Sequence, residues 1–183
     1  MTDIKKIAFL MAHEGVEQVE LTSPWDAVKD AGLEPVLIST ADKVQAYNHL
    51  DAADTFSADQ QVSEASADDY DALVLPGGVA NPDALRMDEQ AVALVRSFVE
   101  SGKPVAAICH AGWALAEADV VRGRRVTSWP SLQTDLRNAG AEWVDEKVVV
   151  DGNLITSRKP DDLEAFNSAL MEALQHGTAM THG

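Results

Sequence analysis

Hydrophobic positions along the chain fall into short solid runs, separated by longer stretches in which they recur every three or four residues. "KIAFLMA" (6–12) and "EPVLIST" (34–40) are runs of the first kind. They flank "VEQVELTSPWDAVKDAG", where Val19, Trp25 and Val28 fall near helical spacing and Gly32 can close the helix in a left-handed turn. That is a strand–helix–strand unit. "YDALVLPGG" (70–78) predicts another buried strand ending on a glycine turn. "DEQAVALVRSFVESGKP" then sets Ala91, Leu94, Val95 and Phe98 on one helical stripe, stopped by Gly102 and Pro104. "PVAAIC" is the next strand and "GWALAEA" the helix it feeds. Further on, "SLQTDLRNAG" reads as helix, "VVVDGNLITS" as two strands joined at Asp151 and Gly152, and "DDLEAFNSALMEAL" as a capped C-terminal helix. Such alternation predicts an α/β fold: a mostly parallel sheet covered on both faces, with ligands at the carboxyl ends of its strands. Nothing repeats and no Pro/Gly/Ser linker divides the chain, so one domain is expected over 1–175, followed by a flexible tail over 176–183.

Composition narrows the chemistry. A chain of 183 residues can bury a core without staples, and 14 basic against 30 acidic residues give a formal charge of -16. That charge repels phosphate backbones and anionic lipid, so neither nucleic acid nor membrane is an expected partner. The apolar run in "MTDIKKIAFLMAHEG" is too short for a signal peptide core, and no stretch approaches a membrane span, which predicts a cytoplasmic protein. The single cysteine cannot close an intramolecular disulfide, so its thiol is either inert core filler or a reactive centre.

"VAAICHAGWAL" (105–115) places that cysteine, Cys109, at the sharp turn between a buried strand and a helix. This is the geometry of a nucleophile elbow. Free amides and the positive end of the helix dipole are expected to favour the thiolate there and to lower its pKa. The small neighbours Ala106, Ala107, Ala111 and Gly112 allow a tight turn with open amides, and His110 stands beside the sulfur in sequence. In "HEGVEQVEL", Glu14, Glu17 and Glu20 recur at threefold spacing after the first strand. One of them can face the sulfur as a protonated acid, or all three can simply form an acidic first helical turn. Gly77 and Gly78 offer amides for an oxyanion, or merely a turn. His13, His49, His176 and His182 show no ligand spacing, so no metal is expected. Trp25, Trp113 and Trp143 read as core or interface anchors, and the arginines of "VRGRRV" as a solvated turn or a contact with another subunit.

The stretches "EGVEQVEL" (14–21), "LPGG" (75–78), "GKPVAAICH" (102–110) and the long segment from "VVRGRRVTSWP" to "FNSAL" (120–170) together resemble the PfpI family. That family belongs to the superfamily of the parkinsonism-associated deglycase and the class I glutamine amidotransferase-like proteins. The resemblance implies a flavodoxin-like three-layer sandwich with Cys109 as nucleophile and His110 beside it. It makes Glu20 the buried acid on the cysteine, with Glu17 a second candidate, and matches Asp83 of "NPD" to an acid supplied by a neighbouring subunit. It implies a homodimer, with a hexamer as the higher assembly. This chain departs from the family pattern at Ala111, where relatives often carry Gly, at Trp129, where they often carry Tyr, and at Asp83, where Glu is usual.

Three activities follow from the resemblance. The leading expectation is a cysteine-dependent stress enzyme acting on small reactive carbonyls such as methylglyoxal or on their early adducts, a glyoxalase or deglycase without cofactor. The alternatives are an intracellular cysteine peptidase or amidohydrolase acting on a peptide or modified protein, and a redox sensor or chaperone in which Cys109 is oxidised without turnover.

Overall fold

The computed structural model describes residues 4–180. Solid apolar runs become strands sealed on both faces, because successive side chains point to opposite sides and each side meets its own helical layer. In β1 (Lys6–Met11), Ile7, Phe9 and Met11 enter one core while Ala8 and Leu10 enter the other. In chain order there follow β2 (Glu14–Glu17), α1 (Gln18–Asp30), β3 (Glu34–Ser39), β4 (Lys43–Asn48), β5 (Asp51–Ser57), β6 (Gln60–Gln61) and β7 (Ala72–Leu75). The second half contains α2 (Ala80–Leu85), α3 (Glu89–Ser101), β8 (Val105–Ile108), α4 (Gly112–Glu117), β9 (Arg125–Val126) and α5 (Gln133–Asn138). It closes with β10 (Glu142–Trp143), β11 (Val148–Asp151), β12 (Leu154–Ser157) and α6 (Leu163–Met180).

Seven strands form the central sheet in the order β11-β12-β8-β7-β1-β3-β6. All pairs are parallel except β11 with β12, which meet as a hairpin. One face is covered by α1 and α6 through Leu21, Val28, Phe166 and Leu170; the other is covered by α3, α4 and α5 through Leu94, Phe98, Leu115 and Leu136. This is the expected α/β sandwich. Its consequence for chemistry is local: β7 and β8 lie side by side, with Leu75 opposite Ala107, so the glycine turn and the cysteine turn leave the sheet together.

Two parts of the chain depart from the periodicity reading. The first concerns α1, whose buried stripe is Glu20, Leu21, Pro24 and Val28, while Val19 turns outward and Trp25 is half-buried against Phe9. The cause is β2: pairing of Glu14–Glu17 with β4 takes these residues into a strand, so the helix starts at Gln18 and presents a different face. The second is residues 43–57, unassigned from sequence, which form the hairpin β4-β5 and complete a three-stranded sheet with β2. At the C-terminus the backbone stays helical to Met180, inside the segment read as a tail, and residues 181–183 lie outside those described.

Candidate active site

Cys109 leaves β8 with a φ of 64°, a left-handed conformation that costs an L-residue with a side chain roughly 1–2 kcal/mol. Such a turn is held by its surroundings. A single 3-10 turn, Cys109–Ala111, runs into α4, and the Trp129 amide donates to the Cys109 carbonyl at 3.1 Å. The elbow puts Sγ beneath the mouth of a cleft of about 770 Å³, lined at its base by Glu20, Gly78, Cys109 and His110. The amides of Gly78 and His110 both donate toward the sulfur. Ala111 has ordinary right-handed helical dihedrals, so the missing glycine at this position places no strain on the backbone; the unusual φ falls on Cys109 itself.

Glu20 sits in the first turn of α1, fully buried under the cysteine. Its Oε1 accepts from the Gly77 amide at 3.1 Å, while its Oε2 is enclosed and completes no hydrogen bond of regular geometry. The carboxyl and the thiol lie close enough for their ionisations to couple. Burial first, and then the Glu17 charge, push Glu20 up to about 8. The thiol is also pushed up, by burial and then by the Glu20 charge. This corrects the expectation of a cysteine acidified by a helix terminus: taking the sulfur out of water outweighs the amides that face it. Near neutral pH each therefore keeps its own proton, and the thiolate forms only when the thiol proton is passed on. A neutral Glu20 directs its otherwise unpartnered oxygen, as a donor, at the sulfur.

The glycine pair is divided in its roles. Gly77 serves the acid rather than an oxyanion, and a Cβ there would come within 2.5 Å of the Cys109 Cβ and 2.6 Å of Glu20 Oε1. Gly78, at φ 81°, faces the sulfur, and a Cβ on it would strike the Gly15 carbonyl oxygen at 2.1 Å.

His110 Nδ1 lies 3.2 Å from Sγ. Its ring is bracketed by two indoles, stacked on Trp129 at 5.7 Å and meeting Trp113 edge-on at 5.1 Å. Burial lowers its proton affinity, which favours the neutral ring. Trp113 packs against the core, as expected of an anchor, and also contacts the site; its indole donates to Asp135 at 3.0 Å. Glu17 lines the cleft, but its carboxylate accepts from the His49 amide at 3.0 and 3.2 Å, so Glu20 is the acid that meets the sulfur. Glu14 and Glu17 belong to β2, not to an acidic helical turn. Asp83 is exposed on α2 and does not line the cleft of its own chain.

Several residues of the site escaped the sequence reading. Buried Asn81 accepts from the Ala12 amide at 2.7 Å and donates to the carbonyls of Pro76 and Gly77, tying the glycine turn to the end of β1. Tyr47, His49 and Leu50 from the hairpin and Lys159 from the turn after β12 form the upper walls. Only "NPD" carried a sequence signal for Asn81, and it was read for its aspartate. Among the described residues, no group of three or more His, Cys, Asp or Glu is disposed to hold a metal.

Residues 5–173 match the DJ-1/PfpI family. The chain belongs to the DJ-1/PfpI family. Protein/nucleic acid deglycase 2 of Escherichia coli is 45% identical over 172 residues, covering 93% of this chain and 98% of that protein. YraA of Bacillus subtilis, named provisionally as a cysteine protease, is 41% identical over 172 residues, covering 93% of this chain and 99% of that one. A crystal structure from Anabaena variabilis, of a protein combining a DJ-1/ThiJ/PfpI-like and a ferritin-like domain, superposes with a TM-score of 0.88 at 39% identity. That match covers 96% of this family member and 49% of the two-domain chain. The similarity to deglycases at about this level of identity supports a deglycase-type activity for the member described here.

Proposed function

We propose that the protein converts small 2-oxoaldehydes, and the early adducts they form on amines and thiols, into 2-hydroxy acids by way of a covalent bond to Cys109. The observation that carries this reading is the buried Glu20 carboxyl, its Oε2 without a regular partner, set against a thiol on a positive-φ elbow. A protonated carboxyl in that place can give its proton to a new alkoxide and take one back, as general acid–base catalysis at a carbonyl requires.

In the reaction the neutral His110 ring takes the thiol proton at Nδ1 as Sγ attacks the aldehyde carbon; a C–S bond forms, and the carbonyl electron pair moves onto oxygen, which takes the proton from Glu20. The resulting hemithioacetal has its oxygen near the amides of Gly78 and His110. Glu20, now a carboxylate, removes the hydrogen from the former aldehyde carbon, and the electron pair passes to the adjacent ketone, giving an enediolate. Glu20 returns that proton to the second carbon while the hydroxyl proton on the first carbon passes to the second oxygen, which leaves a 2-hydroxyacyl thioester. Water adds to it and gives a proton to Glu20, Sγ departs with the proton held by His110, and the acid is released. One carbon is oxidised and its neighbour reduced within the substrate, so no outside electron carrier enters. An adduct on an amine or thiol reverts to the same aldehyde and follows the same route.

A peptidase reading is less well served by the geometry. Among the described residues no carboxylate bonds to His110, whose ring lies between two indoles, whereas a peptidase histidine needs an orienting acid.

The test is lactate production from methylglyoxal. Cys109→Ala is expected to abolish it. Glu20→Gln, which keeps the acceptor for Gly77, is expected to lower kcat by about 10²–10⁴-fold while Cys109 still alkylates. Full turnover by Cys109→Ala would refute the assignment.

A further inference from the structure

A base that takes the thiol proton must keep Nδ1 turned toward Sγ. An imidazole torsion is broad and roughly two-fold, so a half turn would put a ring carbon in its place. The usual remedy is a carboxylate on the other ring nitrogen. His110 has none among the described residues. The charged groups around the cleft, Glu14, Glu17, Glu20, Lys159 and Asp161 with His49, make no hydrogen bond or ion pair with its ring. Two indoles touch the ring instead, and they are held differently. Trp129 is tied through its main chain, whose amide donates to the Cys109 carbonyl. Trp113 is tied through its side chain, from two other helices. Its Nε1 donates to Asp135 of α5 at 3.0 Å, and the guanidinium of Arg86, at the C-terminal end of α2, lies 5.8 Å from the centre of its ring. Arg86 is held in turn by Glu117 of α4 at 3.0 Å. An indole with a cation on its face and its N–H on one particular acid has a single preferred orientation. A ring that only filled space would need neither. Trp113 is inclined at 62° to the imidazole and Trp129 at 22°, so turning His110 about its Cβ–Cγ bond swings the ring edges toward one indole or the other. The same enclosure keeps the ring neutral and able to accept a proton.

We infer that Trp113, fixed by Asp135 and Arg86, is the positioning residue that holds the His110 imidazole with Nδ1 toward the sulfur, the task an acid performs in a peptidase triad. Asp135, exposed on α5, thereby acts on the reaction through two aromatic rings. The inference rests on the reading of Cys109 as nucleophile and His110 as the acceptor of its proton.

The test is alkylation of Cys109 in the folded chain by iodoacetamide, a neutral reagent. A C–S bond forms, iodide leaves, and the thiol proton passes to His110 and then to solvent. At about pH 8, Asp135→Ala is expected to slow the reaction about threefold, and Trp113→Leu about tenfold. Asp135→Asn, which keeps an acceptor for the indole, should restore the wild-type rate. The loss should shrink toward about pH 10, where hydroxide removes the thiol proton without the imidazole. In a His110→Ala background, itself slowed at the lower pH, Asp135→Ala should change nothing further. A role in folding alone predicts the reverse, since loosening α4 against α5 would bare the sulfur and speed its alkylation. Wild-type rates in both Asp135→Ala and Trp113→Leu, a faster reaction in either, or an undiminished further loss in the His110→Ala background overturns the inference while leaving the nucleophile in place. So does a greater loss in Asp83→Asn than in Trp113→Leu, which would give the orienting task to an acid of a neighbouring subunit. A His110→Ala variant that reacts as fast as the wild type removes the proton acceptor, and the inference with it. Failure of iodoacetamide to modify wild-type Cys109 overturns the nucleophile and everything that rests on it.

Discussion

At Cys109 the chain accepts an unfavourable φ so that the sulfur stands clear of β8 and faces two amides. The strain is held by the turn hydrogen bond from Trp129 and by the absence of a side chain at Gly77. Gly77→Ala would bring a methyl within 2.5 Å of the Cys109 Cβ and 2.6 Å of Glu20 Oε1, and neither neighbour can retreat through packed surroundings. We expect the carboxyl to be displaced from the sulfur and kcat with methylglyoxal to fall by about 10²-fold, the scale of an ångström-level misplacement. Kinetics of the purified variant decide this, and wild-type turnover would mean that the acid's position is not critical. The residue scale was only partly legible. Cys109 and the glycine pair stood out by their place after strands, but the division of labour within the pair did not, since it depends on which amide meets a carboxyl from a different helix.

At the scale of elements, the site is where the ends of β1, β7 and β8 meet β2, α1 and α2. Asn81 fastens this junction with one accepted and two donated hydrogen bonds, all buried. Asn81→Ala leaves three buried backbone groups without their partner. The expected loss is roughly 2–4 kcal/mol, a fall in Tm of about 5 °C or more, read by thermal unfolding. An unchanged Tm would show that water replaces the side chain at no cost. The elements themselves were unevenly readable. β1, β3, β7 and β8 are apolar on both faces and α3 has a clean stripe, so their patterns report burial directly. The hairpin β4-β5 is a different case: β5 is largely exposed and carries little apolar alternation, so its strand character comes from pairing with β4. The same pairing turns Glu14–Glu17 from an apparent helical start into a strand.

For the molecule as a whole, the proton on Glu20 links activity to stability. Glu20 stands at about 8 in the folded chain against an ordinary 4.5, so the folded state holds a proton that the unfolded state releases. Folding stability from this group is therefore undiminished below about pH 4.5, declines as pH rises toward 8, and levels off beyond. Glu20→Gln removes the decline. Its Tm is expected to match that of the wild type near pH 5 and to exceed it at pH 9 by roughly 5 °C, the equivalent of a few kcal/mol at most. A difference that fails to widen with pH would place the proton elsewhere. No helix of the described residues is long and apolar enough to cross a membrane.

The amino-acid sequence alone determined the alternation of strands and helices, the parallel sheet with its crevice at the strand ends, and the cysteine on a turn. Each of these follows from periodicity and turn chemistry within a single stretch of chain. Tertiary structure decided which of three glutamates reaches the sulfur, that the thiol is raised rather than acidified, and that a hairpin and Lys159 wall the cleft. Those outcomes depend on distances between residues far apart in the chain and on how much water the packing excludes, and a linear pattern records neither.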